Sequence, residues 1–382
     1  MFFYKLLIEI ICLIQILLNQ FFLTFSFFLN TDSKKIKNFF SNEPKNELGD
    51  LALFETISIK DSILANSITA KAILRNEKIK LKCFNMNINS FYNPNIKLNY
   101  NSMNMESINY YLKDLGDLNN AYKIYKQNYF KLKKKKDLYN LKIQNIYVGD
   151  LIYDGYIRFY KKPTIDLNTF TFKYYFFKCC VSFIFWQKYL KKNRVKYIFL
   201  SHANYLIGMP LRVGIFNNVK VYSITSTYLN KFSKKRFHNG LEYLDYKKEF
   251  NKISNSKKKL ILQKSKKLLN ERFNDNLKVR GVFDTPITEK NPFSSKKVKN
   301  IFHKNKRIKI LIAVHDLYDA PNSRGGMTFL DFYEWLIYLR DHKVSKKYDW
   351  YIKAHPDAYE GNDDELHRIF KNKKNFYFLN KN

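Results

Sequence analysis

Carboxylates are scarce in this chain. Its 382 residues carry 33 Asp and Glu against 68 Lys and Arg, a formal net charge of +35. A balance that basic points first to anionic partners: nucleic acid, a membrane surface or phosphorylated ligands. Glycine is scarce too, at 11, while Lys, Asn, Ile, Phe and Tyr abound. AT-rich codons produce that bias, so part of the charge reflects genome composition rather than a binding field. Four cysteines, of which only Cys179 and Cys180 are adjacent, exclude a disulfide scaffold and offer no zinc spacing. The expected compartment is intracellular and reducing. No Walker A, GxGxxG, HExxH or GxSxG segment occurs, which argues against P-loop NTPases, dehydrogenases, zincins and α/β-hydrolases. RRM, KH, helix-turn-helix and zinc-finger signatures are missing as well. No specific nucleic-acid partner is therefore expected, only salt-dependent polyanion binding.

What the chain does have is apolar material. At 46% hydrophobic and 17% aromatic it excludes global disorder, and its length suits two domains, or three, at roughly 100–200 residues each. Residues 1–35 read as an apolar N-terminal helix. Within it, Ile10 to Leu29 is charge-free over about 20 residues, the length a bilayer helix needs. Gln15, Asn19, Gln20 and Thr24 interrupt it, and no small-residue cleavage site follows. Lys34, Lys35 and Lys37 suit an anionic cytoplasmic leaflet. Two readings stay open: a single membrane anchor, inserted or surface-lying, and a helix packed on the protein body. The expected location is cytoplasmic, peripheral at the inner face of the cytoplasmic membrane.

Residues 48–285 have an α/β pattern. Leu51 to Phe54, Ile79 to Phe84, Val195 to Leu200 and Val219 to Ile224 read as strands, with helices over Asp61 to Leu74 and Gly208 to Phe216. Asn85 to Asn104 reads as loop. Thr171 to Leu190 is strongly aromatic but broken by Lys173, Lys178, Gln187 and Lys188, so it reads as a core helix rather than a membrane span. A basic helical region runs from Tyr246 to Arg272. Residues 286–306, rich in Pro, Ser, Asn and Lys, read as a linker. The alternation then restarts over 307–382: strands at Ile308 to Val314, Trp350 to Lys353 and Phe376 to Leu379, helices at Phe329 to Arg340 and Asp363 to Phe370. The predicted fold class is α/β, with two Rossmann-like domains facing a cleft, the second one partial.

In open α/β sheets ligands bind beyond the carboxyl ends of the strands. The residues there are Ser201, His202, Tyr205 and Arg212 after the third strand, and Thr225 to Thr227 after the fourth. His315 and Asp316 follow Ile308 to Val314, with Asp319 and Arg324 in the next loop, and His355-Pro356 follows Lys353. Three of the seven histidines thus fall at strand ends. A lone strand-end histidine is more often a structural cap, but His315-Asp316 also fits a base with its orienting carboxylate. Lys353, His355 and Arg324 suit phosphate. Asp150, Asp154 and Arg158 recur every four residues along one helical stripe, which fits a surface ion pair or a functional polar face. Asp363-Asp364-Glu365 matches a helix start, so no metal is expected.

At these residues the chain resembles the surface carbohydrate and capsule polysaccharide biosynthesis proteins, glycosyltransferases of the GT-B type. The resemblance rests on Gly149 to Asp154 with Arg158, Lys162 to Asp166, Ser201-His202 with Tyr205, Gly208 and Pro210 to Arg212. It continues through His315-Asp316, Asp319 to Pro321, Asp331 to Leu336 and Tyr348 to Pro356. It implies transfer of a sugar, or a polyol-phosphate unit, from a nucleotide-activated donor to a growing or lipid-linked glycan, with no cofactor or metal. The implied catalytic residues are His202, Asp154, His315 and Asp316. Arg324, Lys353 and His355 are implied for donor phosphate, and Tyr153, Arg158, Tyr205 and Arg212 for the acceptor. The resemblance also implies a further His-containing segment and a Gly/Glu loop past Leu379, so a C-terminally incomplete chain is expected. A non-catalytic scaffold of an envelope-glycan complex and a basic nucleic-acid-binding protein are the rival readings.

Overall fold

The structure is a computed structural model that describes residues 31–42, 49–57, 60–85, 99–108, 114–224, 229–239, 243–273, 302–355 and 358–379. The apolar span Ile10 to Leu29, most of the expected linker, Thr225 to Thr227 and Pro356 lie outside them. The chain divides into two compact units, Met1–Tyr156 with Ile165–Asn239, and Ile157–Thr164 with Gly240–Asn382.

The first unit opens with helix α1 (Thr31–Phe40), strand β1 (Asp50–Glu55), α2 (Lys60–Asn76), β2 (Lys80–Phe84) and the short β3 (Glu106–Ser107). Helices α3 (Leu115–Tyr129) and α4 (Lys135–Tyr139) and a small hairpin, β4 (Lys142–Ile143) and β5 (Ile146–Tyr147), follow. Then come α5 (Gly149–Tyr160), α6 (Phe170–Lys192), β6 (Arg194–Leu200), α7 (Gly208–Phe216), β7 (Lys220–Ile224) and β8 (Leu229–Lys231). The sheet order is β3-β2-β1-β6-β7-β8, parallel throughout except for the antiparallel edge strand β8. Strand β1 is buried from Leu51 to Glu55, as a central strand covered on both faces must be. The chain builds outward from β1 through β2 to β3, then returns to place β6 on the other side of β1. The carboxyl ends of β1 and β6 therefore form the switch point of the sheet, where open α/β folds bind ligands. The mixed α/β class and the parallel-rich sheet match the sequence reading and are compatible with a Rossmann-like fold.

Helix α6 is the core helix its lysine-broken aromatic pattern predicts. Phe172, Phe176, Cys179, Phe183, Trp186 and Leu190 recur at three- and four-residue spacing and are buried. Each large apolar side chain so buried stabilises the fold by about 1.5–3 kcal/mol. Thr169 caps the helix, its Oγ1 accepting from Phe172 N at 3.2 Å. The Asn85 to Asn104 stretch is not all loop. A helical turn there carries Tyr100 and Met103, both at 0% exposure, into the core under β1.

The second unit holds α8 (Tyr243–Lys252), α9 (Asn255–Phe273) and a three-stranded parallel sheet. That sheet has the order β11-β10-β9, built from β9 (Lys309–Ala313), β10 (Asp349–Lys353) and β11 (Phe376–Leu379). Helices α10 (Phe332–Asp341) and α11 (Asn362–Ile369) connect the strands. Asp363, Asp364 and Glu365 occupy the first turn of α11, where the helix dipole favours carboxylates. The division falls at 239/240, earlier than the expected 285/286. The reason lies in α8 and α9, where no described side chain is buried, so they add no core to the first unit. Residues 157–164 belong to the second unit through Arg158, 3.7 Å from Asp319, and Thr164, whose Oγ1 donates to Asp331 Oδ2 at 2.6 Å. Among the described residues no helix is long and apolar enough to cross a membrane.

Candidate functional site

In the first unit the switch point carries Glu55, the last residue of β1, beside Ser201 and His202, which follow β6. Parallel pairing of Phe54 with Phe199 sets both strand ends at one edge. Ser201 donates twice to Glu55 Oε2, from its backbone N at 2.7 Å and its Oγ at 2.8 Å. Ser201 Oγ lies 2.6 Å from His202 Nδ1. A hydroxyl has one proton to give, and when Glu55 is ionised it goes to the carboxylate. Oγ must then accept from His202, which assigns the Nδ1–H tautomer and leaves the lone pair on Nε2. The result is a carboxylate–hydroxyl–imidazole relay.

The relay is held from behind. Tyr100 donates its hydroxyl to the Glu55 carbonyl at 3.2 Å, and Asn66 Nδ2 donates to the Tyr100 oxygen at 2.9 Å. On the loop side, Ala203 N donates to Asn239 Oδ1 at 2.8 Å, and Asn239 Nδ2 donates to Asn204 Oδ1. Tyr205 packs edge-on to the His202 ring at 6.0 Å and has φ of 52°, a left-handed conformation that costs a side chain about 1 kcal/mol or more. Burial raises Glu55 from the ordinary 4.5 to about 7, even though both hydrogen bonds from Ser201 favour its charged form. A carboxyl held near neutrality by its surroundings, at a switch point, is the kind of group that active sites use.

The other residues predicted for this unit lie deeper. Tyr153 and Asp154, on α5, are buried. Arg212, predicted for the acceptor, is 4% exposed. Its Nη2 donates to Asp150 Oδ2 at 2.5 Å, and its guanidinium lies 4.0 Å from the Phe237 ring centre. His238 Nε2 is 3.2 Å from the same Asp150 oxygen. Burial pushes the Asp150 carboxyl up, but Arg212 and His238 outweigh it and hold the group below the usual range. This cluster ties α5 to α7.

In the second unit the carboxyl edge of the sheet gathers His315, Asp316 and His355. The His315 and His355 rings are 5.6 Å apart, and His315 stacks on Phe332 at 5.2 Å. Asp316 is 5% exposed, and both its oxygens take backbone amides: Oδ1 from Tyr318 at 2.8 Å, Oδ2 from Tyr359 at 3.0 Å. His315 Nδ1 is 3.3 Å from the Asp316 carbonyl, so backbone rather than carboxylate is the contact it makes with that residue. Lys353 and His355 are half-buried at the end of β10, and Arg324 is exposed in a loop whose Gly325 and Gly326 take φ of 69° and 66°. Arg158 lies over the Tyr359 ring at 4.0 Å as well as beside Asp319. Among the described residues no group of three or more His, Cys, Asp and Glu is placed to hold a metal ion.

The structure thus brings His202 and Tyr205 together in one unit and His315, Asp316 and His355 in the other. It adds Glu55, which sequence reasoning passed over. The signal was available: Glu55 and Thr56 follow an apolar strand just as Ser201-His202 do, and the strand-end rule applies to both. Comparisons with protein-family models, with curated proteins and with solved structures find no match to this chain.

Proposed function

We propose that this chain is a glycosyltransferase-like protein of surface or capsular polysaccharide biosynthesis. It would move a sugar or polyol-phosphate unit from a nucleotide-activated donor to a hydroxyl of a growing or lipid-linked glycan. In this reading the two units are the Rossmann-like halves of a GT-B-type enzyme. The observation that carries it is the Glu55–Ser201–His202 relay at the switch point, a base assembly with a defined basic nitrogen. For a glycosyl unit, His202 Nε2 takes the acceptor hydroxyl proton and the freed oxygen forms the new bond to the anomeric carbon. The bond from that carbon to the donor phosphate breaks, and its electron pair leaves with the nucleotide. The imidazolium that forms keeps its Nδ1 proton and donates it to Ser201 Oγ, whose own proton is held by Glu55, so the ionised carboxylate stabilises the positive charge through the polarised hydroxyl. On the donor side, Lys353, His355, His315 and Arg324 supply cationic and hydrogen-bonding groups for a diphosphate. The sequence resemblance supports the substrate class, and the relay supports a base-assisted transfer.

Two variants of the full chain test the proposal, with thermal shift against UDP- and CMP-linked sugars and a transfer assay on glycan acceptors. His202→Ala should keep donor binding and lower transfer by about 100- to 10,000-fold, the usual worth of a general base. Lys353→Ala with His355→Ala should lose the donor-induced shift. Undiminished transfer by His202→Ala, or no stabilisation of the parent chain by any nucleotide sugar, would overturn the reading.

A further inference from the structure

Helices α8 and α9 have a surface that the proposed chemistry does not use. Residues 244–270 contain nine lysines and two carboxylates, and none of these residues is buried. Large apolar side chains are exposed among the lysines. Leu260, Leu262, Leu268 and Leu269 are each more than half exposed, and Ile261 is exposed as well. Where the helices meet, an apolar groove of about 620 Å³ is lined by Tyr246, Phe250, Ile253 and Ile261 with Lys247 and Glu249.

We infer that this helix pair docks on an anionic lipid surface. Charge complementarity is the first argument: lysines at this density seek a polyanion. The apolar residues decide which one. A nucleic acid would satisfy the lysines and leave the leucines in water. Leu260, Ile261 and Leu262 are consecutive, and at about 100° per residue they cover more than half of the helix circumference with Leu268 and Leu269. Lys257 and Lys264 fall among them, so the apolar residues form no single stripe for a partner helix to pack on. A headgroup layer takes such an interleaved surface, because Lys257, Lys259, Lys264, Lys266 and Lys267 have stems long enough to snorkel back to the phosphates while the leucines enter the acyl boundary. This inference is independent of the transfer chemistry.

The test is sedimentation of the full chain with phosphatidylcholine vesicles, with and without phosphatidylglycerol. Binding should require phosphatidylglycerol and weaken with salt. Replacing Lys257, Lys259 and Lys264 by Gln should weaken it by about fivefold per lysine, about a hundredfold together. Leu260→Ser with Leu268→Ser should weaken it too while leaving the salt dependence in place. Replacing Lys131, Lys133 and Lys134 by Gln, an exposed basic run elsewhere, should change it little. All these side chains are exposed, so circular dichroism should show the fold intact. The inference fails if the chain ignores anionic vesicles, binds phosphatidylcholine equally, or responds alike to both lysine triples. It fails equally if the α9 lysine triple weakens binding of single-stranded RNA and not of vesicles.

Discussion

Glu55→Gln tests the relay at its most unusual group. The carboxyl is 6% exposed, and burial moves it from 4.5 to about 7. Each factor of ten in proton affinity is worth about 1.4 kcal/mol, so the difference amounts to about 3 kcal/mol. A raised carboxyl makes the folded state the better proton binder between pH 4.5 and about 7. Stability is therefore fullest below pH 4.5, declines through that window, and is lowest once the folded group has ionised above about 7. Glutamine mimics the protonated acid and can accept from Ser201 through its carbonyl oxygen, but it has no proton to lose. The stability of Glu55→Gln relative to the parent should thus be near zero in acid and rise to about 3 kcal/mol at alkaline pH. Urea unfolding followed by pulsed hydrogen exchange of the β1 and β6 amides isolates the unit concerned. A difference between the two proteins that stays constant from pH 5 to 8.5 would refute the reasoning, because it would mean that Glu55 titrates as an ordinary carboxyl.

Two further substitutions test the packing around the relay. Arg212→Ala strands the buried Asp150 carboxylate without its guanidinium and should cost about 3–5 kcal/mol. Replacing both Asp150 and Arg212 by Leu should cost less than that in the same urea assay, since no charge is left unpaired. Gly149→Ala should destabilise by about 3 kcal/mol or more, because a Cβ there would stand 2.1 Å from the Leu138 carbonyl oxygen and 2.3 Å from that of Tyr139. Thermal denaturation reads it, and an unchanged melting temperature would show that the entry to α5 is not so confined.

The sequence made the fold legible where one element faces one environment. Strands β6 and β7 read as apolar runs because their carboxyl-terminal ends are buried on both faces, over Ile198 to Leu200 and Ser223 to Ile224, and α6 read as a core helix because its lysines interrupt the length a bilayer needs. The β4–β5 hairpin was not legible. Its two-residue turn is Gln144-Asn145 with φ of 48° and 66°, a conformation that glycine usually announces and that has no glycine here. The division between units was displaced for a different reason. Residues 246–272 read as a basic helical region, and composition alone does not say to which unit an exposed helix attaches. At the candidate site, His202, His315 and His355 stand just past the ends of β6, β9 and β10, where the strand pattern puts them. Which carboxylate answers which histidine depends on register across the sheet, through Phe54 and Phe199, and a single segment does not contain it.

Two strand-end carboxylates, Glu55 and Asp316, look equivalent in sequence and are physically opposite. Asp316 gives one oxygen to each of two backbone amides, from Tyr318 and Tyr359, and so stitches two loops together. Glu55 takes both its Ser201 bonds on one oxygen and remains raised by burial. Removing the charge should therefore have opposite signs at the two positions. Asp316→Asn keeps one acceptor and turns an NH2 towards the second amide, leaving a buried donor facing a donor at a cost of about 1–3 kcal/mol. Asp316→Asn is therefore destabilising, whereas Glu55→Gln should become more stabilising as pH rises. Hydrogen exchange of β9 and β10 amides in Asp316→Asn reads the loss, and unchanged protection there would show that the stitch is dispensable. The Glu55 charge opposes folding at the pH where it supports His202, and in the proposed transferase that conflict fixes the expected pairing: Glu55→Gln gains stability and loses transfer over the same rise in pH.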